Sequence, residues 1–275
     1  MDVNDLVDTA AAEFSQFEQL ETVNNIKVNH VKVGSGDKHI LCIPGTLGTW
    51  HDFAPLFSHI DLTKYTVVAF DPPGYGKTMP PERKYTMTTN HDDARVAHAL
   101  MKQLNLLPYS CLGWSEGMRT ASICAVLYPT DVRSVVVWGG VSNITEGIVK
   151  FFKVMRDLNN WPSQKSLARM DAIYGREYFR KTWESEADFY VTCFTAVPQG
   201  NLIADILPRI KAPYLLIWCG KDTMGGEGVR EQYKTIVQKV KNGRLVEKLD
   251  GTHDVHLQYR DWFLKTALAH IDENS

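Results

Sequence analysis

The chain has 275 residues, 44% of them hydrophobic, enough to fill one large core or one core carrying an insertion. Its 30 Lys and Arg stand against 32 Asp and Glu, a formal charge of -2 without a basic tract, which removes the electrostatic case for nucleic acid or an anionic membrane and leaves a small molecule as partner. No apolar run approaches the roughly 20 residues of a membrane span, and the first residues carry Asp2, Asp5, Asp8 and Glu13 without an early Lys or Arg, the reverse of a secretory or mitochondrial leader.

In chain order, short β-rich runs are expected at 26–33, 39–45, 65–71, 109–115, 132–140, 214–220 and 244–250, with helices at 88–105, 116–129, 228–241 and 255–271. Near-continuous apolar strands that alternate with helices predict an α/β fold, a mostly parallel sheet covered on both faces. The run at 26–33 alternates in polarity instead and is expected as an antiparallel edge strand. From 141 to 207 there is no strand signal, only helical patches rich in aromatic residues, which divides the chain into a core at 1–140 and 208–275 and a helical cap insertion at 141–207. Three of the five cysteines, Cys42, Cys111 and Cys219, lie in apolar runs; with Cys124 and Cys193 they read as buried thiols of a reducing compartment. No Cys-x-x-Cys pair or Cys/His ladder is present, so neither a metal nor another cofactor is expected. A soluble, cytoplasmic protein follows, monomeric or weakly associating.

The stretch "CLGWSEGMR" places Ser115 between Gly113 and Gly117, after a strand and before a helix. A sharp strand-to-helix turn strains its central residue and demands neighbours without bulk, and it lifts the hydroxyl above the sheet beside the positive end of the helix. An acid and a histidine follow in the order that suits nucleophilic catalysis: Asp222 closes "LLIWCGKD", and His253 lies in "GTHDVHL" between the last strand and the last helix. Glu146 is a substitute for the acid, and His256 is the nearest rival imidazole.

These features resemble the α/β-hydrolase superfamily over about residues 20 to 272. "IPGTLGT" resembles the oxyanion loop, with Pro44 where a histidine is usual; "FDPPGYGKT" resembles the loop after the next strand, with Thr78 for serine; "GWSEG" matches the nucleophile elbow, and "GKDTM" and "DGTHDVH" match the acid and histidine loops. "GWSEG", "IYGREYF", "QGNLIADILPRIKAP" and "GTHDVHL" are most similar to the biphenyl hydrolase-like, or valacyclovir hydrolase, group. The resemblance implies an α/β-hydrolase fold and a serine hydrolase of small carboxylic esters, preferentially α-amino-acid esters, with Ser115, Asp222 and His253 as triad. It implies backbone N–H donors for the oxyanion at Thr46, or by a shift of one residue at Leu47, and at Glu116. Relatives that act on haloalkanes or epoxides carry Asp where this chain has Ser115, which turns the expectation to acyl chemistry. The group places an Asp after the nucleophile to receive a substrate ammonium; here Glu116 stands there, either reading that charge or answering the helix dipole. Met118 replaces a small residue and crowds either the pocket or the helix packing. A carbon-carbon bond hydrolase, a general carboxylesterase and a non-catalytic binding protein are the alternatives on this fold.

Overall fold

Asp2 accepts the Asn4 N–H and caps helix α1 (Val3–Phe14), which turns Val7, Ala11 and Phe14 inward. A hairpin follows, β1 (Glu18–Val23) and β2 (Ile26–Gly34), joined through Asn24 and Asn25 at φ 50° and 66°, the positive values that a two-residue primed turn requires. The edge strand expected at 26–33 is therefore corrected: the strand is antiparallel, but β1 takes the edge and β2 lies between it and a central strand. β1 escapes a hydrophobic-pattern search because "EQLETV" buries only Val23.

The remaining elements are β3 (Lys38–Ile43), α2 (Ala54–Phe57), β4 (Tyr65–Phe70), α3 (Thr89–Gln103), β5 (Tyr109–Trp114), α4 (Gly117–Leu127), β6 (Val132–Trp138), α5 (Glu146–Met155), α6 (Gln164–Tyr174), α7 (Arg176–Ala196), β7 (Tyr214–Cys219), α8 (Val229–Lys239), β8 (Gly243–Lys248), α9 (Val255–Gln258) and α10 (Arg260–Glu273). The computed structural model describes residues 2–161, 163–224 and 228–275. Among the described residues eight strands form one sheet in the order β1-β2-β4-β3-β5-β6-β7-β8, parallel from β4 onward. Along β3 the side chains alternate between two cores: Leu41 and Ile43 meet α3, α4 and α8, whereas Ile40 and Cys42 meet α1, α2 and α10. All five cysteines are buried and free. No helix among the described residues is long and apolar enough to cross a membrane.

Between β6 and β7 the described residues of 141–207 hold helices and one isolated bridge, Asn143 to Asn201, but no strand; Pro162 of the expected cap lies outside them. A third apolar cluster joins α5, α6 and α7, with Phe179 fully buried inside it, to Leu47 and Tyr75 of the sheet's loops. The single helix expected at 255–271 divides at Tyr259, φ -128° and ψ 52°, into α9 and α10. Apolar residues continue on both sides of that break, so periodicity does not reveal it.

Candidate active site

The chain order reverses at β3, which has β4 on one side and β5 on the other. The crevice beyond the carboxyl ends of such a pair is where open parallel sheets hold ligands. Ile43 pairs with Gly113, so the segments that leave these strands, 44–47 and 114–116, meet. Ser115 adopts φ 54°, a conformation that costs a non-glycine residue about 1–2 kcal/mol, and its N–H donates to the Trp138 carbonyl at 2.8 Å. Gly117 lets α4 start against β3, since a Cβ there would lie 2.2 Å from the Ile43 carbonyl oxygen. At Gly45 a Cβ would lie 2.8 Å from Ser115 Cβ and 3.3 Å from its Oγ, so the turn after β3 passes directly over the hydroxyl. Leu47 continues that turn with φ 53°. Among the described residues no backbone carbonyl accepts the N–H of Thr46, Leu47 or Glu116.

Asp222 and His253 come together from the loops after β7 and β8: Asp222 Oδ2 lies 2.9 Å from His253 Nδ1. The other Asp222 oxygen accepts the Met224 N–H at 3.0 Å. Burial alone would make His253 harder to protonate, but the Asp222 and Asp254 carboxylates reverse this and raise its pKa. Burial would likewise raise Asp222, yet His253 and the Met224 N–H hold it below the ordinary carboxylate range. Trp114 Nε1 donates to the His253 carbonyl at 3.1 Å and steadies the loop.

Ser115 and His253 line one cavity of about 320 Å³ together with Thr46, Leu47, Glu116 and Asp254. Its opposite wall is aromatic, with Phe152, Trp161, Trp183 and Tyr190 from the helical segment. Of the other expected aromatic residues there, Phe179 serves the segment's own core, while the hydroxyls of Tyr174 and Tyr178 donate to the carbonyls of Leu47 and Gly74, both at 2.8 Å.

Glu116 stands on the cavity wall but is only 5% exposed, and its carboxylate already has partners. Oε1 lies 3.2 Å from Arg83 Nη2 and 3.6 Å from Arg119 Nη2, and Oε2 accepts the Tyr75 hydroxyl at 3.0 Å. Against the burial that would raise it, the two guanidinium groups hold Glu116 below the usual glutamate value. Arg83 in turn forms a two-point bridge to Asp93, both bonds 2.8 Å. A residue the sequence reading misses joins this group: Glu186 of α7, fully buried, accepts the Thr46 hydroxyl at 2.5 Å. A glutamate in "ESEADFY" looks like any solvated helix residue, and only partners far away in the chain, such as Thr46, Glu116 and Arg119, mark it as internal.

The other expected residues have plainer places. Glu146 opens α5 as an exposed residue, and the carboxylate on His253 Nδ1 is that of Asp222. His256, wholly buried, accepts Trp138 Nε1 at 3.2 Å, and burial pushes its pKa down to about 3. Met118 packs in the α3–α4 core rather than in the cavity. Thr78 accepts the Asn29 N–H at 2.9 Å and pins its loop to β2.

Comparison with known proteins gives the family and the fold. Residues 38–157 match the family model of the alpha/beta hydrolase fold. Serine hydrolase BPHL of Mus musculus is 36% identical over 242 residues, 88% of this chain and 81% of that protein; the Homo sapiens protein of the same name is 34% identical over 89% and 83%. Among solved structures, the haloalkane dehalogenase DatA from Agrobacterium tumefaciens C58 superposes with a TM-score of 0.73 over 96% of this chain and 99% of that one at 16% identity, a likeness of fold alone.

Proposed function

The chain belongs to the α/β-hydrolase family as a serine hydrolase of the BPHL type, and from this premise we propose that Ser115, His253 and Asp222 form its catalytic triad and that its substrates are small carboxylic esters, α-amino-acid esters first among them. The observation that carries the reading is a strained hydroxyl at a helix start and a carboxylate-bound imidazole on the wall of one cavity. With Asp222 keeping the proton on Nδ1, His253 Nε2 takes the Ser115 proton as Oγ attacks the ester carbonyl carbon. The negative charge that develops on the carbonyl oxygen meets the N–H of Glu116 and an N–H of the Thr46–Leu47 turn, donors that no backbone carbonyl occupies among the described residues. The intermediate collapses, the imidazolium protonates the departing alcohol, and water, activated by the same imidazole, releases the acid from the acyl-enzyme.

The helical segment 141–207 acts as a cap whose aromatic wall excludes water from the acyl group. A carboxylate-bearing wall beside an apolar one suits a substrate with an ammonium near the ester and an apolar remainder. The test is a panel of matched esters that differ only in the α-amino group, with a dienone-type acid as carbon-carbon substrate. The expected outcome is kcat/KM at least about tenfold higher for the amino ester at a pH where it is ionised. Equal values would return the protein to a general carboxylesterase, and turnover of the dienone acid alone would favour carbon-carbon cleavage.

A further inference from the structure

Two arginines and three carboxylates share one buried network beside the cavity: Arg83, Arg119, Asp93, Glu116 and Glu186. Asp93 and Glu116 answer the two guanidinium charges through the bonds described above. Glu186 is the surplus acid. Its Oε1 takes the Thr46 hydroxyl, and its Oε2 is buried without a hydrogen-bond partner among the described residues. The groups that face it are Thr46 and Glu116 on the cavity wall, Arg119 on α4, Arg83, Tyr75 and Tyr85 from the loop between β4 and α3, and Tyr190 one turn further along α7. The Thr46 hydroxyl oxygen lies between two carboxylates, 2.5 Å from Glu186 and 3.4 Å from Glu116. With all three acids ionised the network carries one negative charge in a nearly water-free space, an arrangement that needs either a proton or a cation.

We propose that Glu186 sets the charge specificity of the site: a substrate ammonium, lying against Glu116 on the cavity wall, replaces the proton held by Glu186, and that proton leaves for solvent as the substrate binds. The balance is one charge for one. In the free protein the proton on Glu186 neutralises the network; in the complex the ammonium does, and the Thr46 hydroxyl stays between the two acids. Burial, followed by the Glu116 charge, pushes Glu186 up to about 8, so the proton is in place at neutral pH. The proposal rests on the α-amino-ester reading above and adds the residue that supplies the net charge.

The experiment is calorimetric titration of Ser115→Ala protein, which binds without turnover, at about pH 6.5 in two buffers of different ionisation heat, the linkage giving the protons exchanged per site. An α-amino ester should release about one proton and its α-hydroxy isostere none. Adding Glu186→Gln, which keeps an acceptor for Thr46 but cannot carry charge, should abolish the release and cut the preference for the ammonium at least about tenfold. Release that persists with glutamine at 186 would assign the proton to another group, such as His253, and overturn the proposal. Tighter binding of the ammonium ester without release would overturn it too, while leaving the amino-ester reading intact. No preference for the ammonium in the Glu186 protein would sink that reading and the proposal together. Infrared difference spectra give a measure that needs no substitution at 186: a protonated-carboxyl band should vanish when the ammonium ester binds, and its absence from the free protein would refute the assignment.

Discussion

The two sides of the cavity are held by different forces. On the sheet side, positions are set by backbone: the β3–β5 register, the positive φ of Ser115 and Leu47, and a glycine pressed against the serine. On the helical side they are set by side chains: Phe152 stacks on Tyr190 with ring centres 4.2 Å apart, Trp161 meets Trp183 edge-on at 5.0 Å, and Trp183 Nε1 donates to the Met155 carbonyl at 2.6 Å. Backbone constraints of the first kind fix the serine and the turn that passes over it. Ring packing tolerates exchanges of similar volume with small losses. On the function proposed above, the difference assigns rate to the carboxyl ends of the central strands and selectivity to the helices that cover them.

The largest expected effect tests the first half of that division. Ser115→Ala should lower kcat by about 10⁶-fold and abolish labelling by a fluorophosphonate while the protein still melts cooperatively. Labelling that survives would move the chemistry off this elbow. Next in size, Asp222→Asn should cost about 10⁴-fold in kcat because the imidazole loses the carboxylate that fixes its tautomer. Glu146→Gln, at the exposed start of α5, should leave kcat near wild type. The reverse pattern in this pair would name Glu146 as the acid. The smallest effect sharpens the second half: Trp183→Phe on the aromatic wall should change kcat/KM by less than about tenfold, mainly through KM and differently for large and small acyl groups. A loss in kcat comparable with that of Asp222→Asn would mean that the helices set the reacting geometry as well, and the contrast between the two walls would dissolve.

Much of the sheet side was legible in the sequence because its signals are local. A glycine, a serine and a second glycine between an apolar run and a helical pattern describe a turn that a few consecutive residues impose on themselves. Asp222 and His253 are legible for the same reason, each on the loop that closes its strand. The hairpin was partly lost because β1 buries one residue and its turn is built from two asparagines rather than glycine. The break at Tyr259 was lost because apolar residues run through it.

Glu116 marks where local reading ends. Its place after the nucleophile was readable; its electrostatic condition was not. By itself the sequence determined seven of the eight strands, the elbow and the order of the reactive residues, since these follow from steric and hydrophobic preferences acting over a few neighbours. Tertiary structure alone decided that Glu116 is already matched by Arg83 and Arg119, and that Glu186, a helix residue of ordinary appearance, is the carboxylate left over. Charge balance in a buried space is a sum over groups that lie near one another in space and far apart along the chain, and no window of sequence contains that sum.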